Sequence, residues 1–99
     1  MIIDLRDYAG EFCSSRTDPS IPALRQCVRN ALLQGDIVQV SRKRIKSITV
    51  SFLDEWLGPI IVELGLERVR KEVRFDPPLE PILAKQLERS SRLRTQQPG

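Results

Sequence analysis

The residues able to carry chemistry are few. Histidine is absent from the 99 residues, which removes the usual general base of neutral-pH hydrolysis, the commonest zinc ligand and the usual physiological-pH switch. Cys13 and Cys27 lie fourteen positions apart with no C-x-x-C pair. Neither metal ligation nor thioredoxin-type redox chemistry is supported, and both read as free, half-buried thiols. Asp54 and Glu55 are adjacent carboxylates, but successive helical side chains diverge by about 100°, so the pair cannot flank one scissile bond as acid and base. No nucleophile has a visible base and no glycine loop suits a phosphate. The reading is a non-enzyme with no metal and no cofactor.

Two features suit binding instead. Arg42, Lys43, Arg44 and Lys46 place four cations in five residues, a basic patch that could steer an acidic protein or touch phosphates, or stand as a solvated loop. Thr49 and Ser51 stand where a helical pattern begins, and a phosphate on either would meet uncommitted amides and the positive end of the helix dipole. Ser51 with Asp54 three residues on also reads as a variant capping box, worth about 1 kcal/mol without any modification. A phosphate on Ser51 would be repelled by Asp54, with Arg44 and Lys46 compensating only if their loop folds back.

The elements that must position these residues follow from periodicity. Met1, Ile3 and Leu5 alternate with Asp4 and Arg6, which predicts a half-buried strand, with a short return strand through Phe12 and Cys13. Ile21, Leu24, Val28, Ala31 and Leu32 recur at helical spacing between Ser20, a candidate cap, and Gly35. Ile37, Val38 and Val40 form an interior strand, expected at the middle of the sheet and covered on part of both sides. From Phe52 the apolar spacing predicts a second helix closed by Gly65, with a kink or local break at Gly58-Pro59. Val69, Val73 and Phe75 read as a third main strand whose solvent side carries Arg68, Arg70, Lys71 and Arg74, and Leu79, Ile82, Leu83 and Leu87 as a third helix. Alternating strand and helix predict an α/β domain with a mixed, largely parallel sheet and crossover helices. Residues 1–93 form one domain and 94–99 a frayed tail.

Composition limits the partners. Lys and Arg number 16 against 13 Asp and Glu, a net charge of +3 that falls well short of a dedicated phosphate-backbone binder. The five aromatic residues lie mostly on apolar faces, without the exposed interleaving that single-stranded nucleic acid requires. A charge arrives by the fourth residue, and the longest apolar run, Trp56 to Val62, is broken by Gly58 and Pro59, far below the ~20 residues of a membrane span. The expectation is a soluble, cytoplasmic protein.

One segment is recognisable: Gly35-Asp36-Ile37-Val38-Gln39-Val40, then Ser47-Ile48-Thr49-Val50-Ser51-Phe52-Leu53-Asp54-Glu55-Trp56-Leu57-Gly58, then Glu63-Leu64-Gly65, with Ser14-Ser15-Arg16 upstream. It resembles the STAS-like domain family DUF4325, over roughly residues 10–75. The resemblance implies a fold akin to the anti-sigma-factor antagonists, with a sheet of about four strands and three helices packed mainly on one face, and no catalytic activity. In such relatives a kinase-like anti-sigma protein binds the loop and first helical turn after the central strand, and serine phosphorylation there releases it. The corresponding partner-binding residues are Thr49, Val50, Ser51, Phe52, Asp54 and Glu55. Val50 takes the place of the usual phosphorylated serine and Ser51 follows it; Ser41 stands where an acidic residue is common. The expected function is a regulatory, partner-switching protein-binding module of a bacterium. Its alternatives are a nucleic-acid accessory protein using the 42–46 loop, and a homodimer.

Overall fold

The computed structural model describes residues 1–96. β1 (Ile2–Asp4) opens the chain but ends early, because the Asp4 carboxylate accepts the Arg6 amide and starts a short helix, α1 (Leu5–Ala9), which turns off at Gly10 with φ +74°. With α1 interposed, β2 (Phe12–Cys13) does not return along β1. It pairs in parallel with β4 (Ser47–Ile48), away from the main sheet.

α2 (Ile21–Leu33) follows the predicted apolar spacing. Ser20 precedes it without capping it: its hydroxyl donates to Asp18 (2.7 Å) and takes no first-turn amide. Gly35 ends it as expected, at φ +83°, with the Gly35 amide on the Leu32 carbonyl (3.0 Å) and the Asp36 amide on Ala31 (2.9 Å). That pair of bonds satisfies the last-turn carbonyls in a Schellman arrangement that needs the left-handed residue.

β3 (Val38–Ser41) is the middle strand of a three-stranded parallel sheet, between β1 and β5 (Val73–Asp76). Ile3 is level with Val40, and Val38 and Val40 with Val73 and Phe75. These five residues line the covered face. On the other face Ile2, Gln39 and Arg74 are exposed, so β3 is covered on one side alone. The two-sided expectation fails because Ile37 lies outside the strand and is itself exposed, leaving Val38 and Val40 two apart on one face. The expected mixed sheet of about four strands is instead a three-stranded sheet and a separate two-stranded ladder, both parallel.

α3 (Val50–Leu64) buries Phe52, Leu53, Trp56, Leu57, Ile60 and Ile61 and forms the centre of the core. Phe52 stands edge-on to Trp56 (6.1 Å between centroids), and Trp56 to Phe75 (6.0 Å). The helix is unbroken through Pro59. A proline there removes the amide that would bond the Glu55 carbonyl one turn back, and Arg25 of α2 supplies the replacement, its Nη2 donating to that carbonyl. α4 (Leu66–Glu72) replaces the first half of the expected third strand. Val69 is buried within it, Arg68 pairs with Glu72 at helical spacing (2.7 Å), and Arg68, Arg70 and Lys71 are helical rather than on the solvent side of a strand. α5 (Pro81–Gln96) lies along α3 and continues past Leu93, where fraying was expected, because Arg94 is anchored. Residues 97–99 of the expected tail lie outside the described residues.

Candidate functional site

The short β2–β4 ladder fixes the start of α3. Beyond it the Thr49 amide donates to the Cys13 carbonyl (3.0 Å) and the Thr49 hydroxyl to the Ser14 carbonyl (3.1 Å), while the same hydroxyl accepts the Phe52 amide (3.4 Å). Thr49, in extended conformation, is therefore the helix cap, and Ser51 is not. The helix begins two residues earlier than the Ser51–Asp54 pairing suggested because Thr49 is tethered to the strand beside it. Ser51 sits in the first turn, half-exposed, with no side-chain hydrogen bond among the described residues.

Asp54 turns inward instead of back toward the cap. Its side chain is 7% exposed and collects Arg94 through Nε (3.0 Å) and Nη2 (2.9 Å), the Ser90 hydroxyl (2.7 Å) and Arg16 (3.4 Å). Burial pushes this carboxyl up, but the Arg94 and Ser90 hydrogen bonds and the charges of Arg94 and Arg16 outweigh it and hold it below the usual aspartate value. Glu55, beside it, meets Arg94 (3.4 Å), Arg16 (3.6 Å) and Arg25 (3.6 Å). Gly58 makes room for this: a Cβ there would lie 2.6 Å from Arg94 Nε. Gly58 and Pro59, which in sequence suggest a broken helix, are thus the two places where arginines from α5 and α2 dock onto α3.

Of the six residues expected to meet a partner, Phe52 and Asp54 are buried, one in the aromatic core and one in the ion cluster. Thr49, Val50, Ser51 and Glu55 remain half-exposed. A shallow cleft of about 230 Å³ opens over this first turn, lined by Val50, Arg16, Arg89, Ser90 and Leu93 among others. Of the two candidate phosphate acceptors, Thr49 has its hydroxyl committed to the cap and to Ser14, whereas Ser51 does not.

The basic patch is dispersed. Arg42 is nine-tenths buried, donating to the carbonyls of Pro77 (3.2 Å) and Pro78 (2.7 Å) and pairing with Glu80 (2.9 Å). The Arg42 hydrogen bond, foremost, holds the Glu80 carboxyl below its usual value. Lys46 pairs with Glu11 (3.4 Å), so Lys43 and Arg44 alone of the four lack an ion pair among the described residues. Cys13 and Cys27 are both free; burial pushes the Cys13 thiol up to about 11, an unreactive value. Among the described residues no three His, Cys, Asp or Glu converge as metal ligands, and no helix is long and apolar enough to cross a membrane.

Sequence reasoning missed the arginine set around Asp54. Ser90 and Arg94 lie 36 and 40 residues from it and Arg16 lies 38, separations at which no spacing rule applies. A scan against protein-family models and searches of curated proteins and solved structures find no match to this chain.

Proposed function

We propose that this chain is a non-enzymatic regulatory protein-binding module, and that its partner docks on the first turn of α3. The observation that carries the reading is the contrast inside that turn. Val50 faces an open cleft flanked by Arg16 and Arg89 and Ser51 beside it is half-exposed, while Thr49, Phe52 and Asp54 are held from behind by hydrogen bonds, aromatic packing and ion pairs. A surface whose backbone is fixed before binding loses little entropy on capture. The amides of Val50 and Ser51 have no intrahelical acceptor, so they can bond a carbonyl or carboxylate of the partner, with Arg16 and Arg89 favouring an acidic segment. The likeness to STAS-like domains supports partner switching at the same turn, with an anti-sigma or kinase-like protein as the partner and Ser51 as the switch, in a cytoplasmic setting.

A photocrosslinking residue at Val50 tests this. It should give one protein adduct in cells that a crosslinker at Gln39, on the open sheet face, does not give. Ser51→Glu, which the helix dipole accommodates, should abolish the adduct without changing the circular dichroism. Equal adducts from both positions, or capture unaffected by Ser51→Glu, would refute the assignment.

A further inference from the structure

A second cavity lies at the other end of α3, between α3, α4, β5 and the first half of α5. It holds about 390 Å³ and is walled by Leu57, Ile61, Val69, Val73, Phe75 and Leu79. Its size falls within the range of small-molecule sites, about 300–1,000 Å³, and such sites combine apolar walls with a few polar groups that orient the ligand. Here the polar groups are Arg70, Lys85 and Glu88. Glu88 is engaged by Arg92 (2.6 Å). Arg70 has a loose contact of 3.7 Å with the exposed Glu67, and Lys85 has no ion pair among the described residues. The cavity therefore joins an apolar well to Lys85, which has no ion pair among the described residues, and to Arg70, whose 3.7 Å ion pair with Glu67 is exposed.

The geometry points to a site for a monomeric medium-chain fatty acid, its acyl chain against Leu57, Ile61 and Phe75 and its carboxylate between Lys85 and Arg70. A nucleotide or sugar would leave its polar groups unbonded against these walls. A neutral hydrocarbon would gain burial but would leave the two cations unanswered. The site is separate from the first turn of α3, and its test does not depend on any protein partner.

The experiment is calorimetric titration of the full chain with decanoate below its micellar concentration, with emission of Trp56 as a second readout. Trp56 is the chain's one tryptophan and touches the wall residue Phe75. Saturable one-to-one binding is expected, at least tenfold weaker in Arg70→Gln/Lys85→Gln, both of whose sites are exposed. Decanol should bind the unaltered protein no better than decanoate binds that variant. Ala84→Phe, at an exposed wall position, should block uptake while the urea midpoint shows the fold intact. Absence of saturable binding, or equal affinity for decanoate and decanol, would overturn the proposal. Sedimentation with phosphatidylglycerol vesicles in place of monomer uptake would overturn the free-acid assignment.

Discussion

Helices α3 and α5 run antiparallel along much of their length, and the two ends of that contact are built differently. At the start of α3, beneath the shallow surface cleft over its first turn, the interface is sealed by charge: Asp54 is held by Arg94, Ser90 and Arg16, and Gly58 lets the Arg94 side chain lie against the helix. At the opposite end Leu57 and Ile61 face Ala84 and Leu87 across a cavity of about 390 Å³. The sealed end holds a carboxylate that cannot be left unpaired, because a buried charge without partners costs several kcal/mol. No such penalty acts at the open end, where an unfilled apolar wall costs only lost contacts. Register between the helices is therefore specified at the charged end, while the apolar end is free to accommodate something else.

The largest effect should come from breaking the sealed end. Arg94→Ala leaves Asp54 buried with Ser90 and Arg16 alone and should destabilise by about 2–3 kcal/mol, below the 3–5 of a fully enclosed pair because Arg94 is partly exposed. Urea unfolding measures it, and Asp54→Asn in that background should recover part of the loss. The same carboxylate sets a pH response. Its folded value lies below its unfolded one, so its contribution is complete above the unfolded aspartate value of about 4 and declines as pH falls through the folded value. The urea midpoint of the unaltered chain should drop across that acidic window, whereas in Asp54→Asn the drop should be shallower.

Next in size is the cap. Thr49→Val removes the acceptor of the Phe52 amide and the bond to Ser14 and should cost about 1 kcal/mol. Ser51→Ala should cost little, since Ser51 caps nothing. The reverse ranking would restore Ser51 as the cap.

What the sequence revealed and what it hid divide along physical lines. α2, α3, β3 and most of α5 were legible because their apolar residues repeat at the period of the element and their ends carry Gly35 or Gly65. The even spacing of Val69, Val73 and Phe75 suggests a strand where α4 lies, although Glu67 with Arg70 and Arg68 with Glu72 are paired at helical spacing and carry the better signal. That a helix starts close to Thr49 and Ser51 was legible; the burial of Asp54 in its first turns was not. Asp54 resembles a surface capping carboxylate until three residues from distant parts of the chain are brought against it.

The smaller effects test whether the two ends really differ. In an ordinary helix interior Gly→Ala stabilises by about 1 kcal/mol. At the sealed end Gly58→Ala should give no such gain, since the new methyl meets Arg94 at 2.6 Å. In an Arg94→Ala background the obstacle is gone and the gain should return, a non-additivity that a double-mutant cycle reads directly. At the open end Ala84→Leu adds apolar volume beside a cavity. Part of the new side chain stays in water, so the gain should be about 0.5 kcal/mol, well under the figure for full burial of a leucine. Additional volume should thus be tolerated at one end of the helix pair and resisted at the other. Equal penalties at Gly58 and Ala84 would mean that the cavity collapses in solution and that α3 and α5 are packed alike along their whole contact.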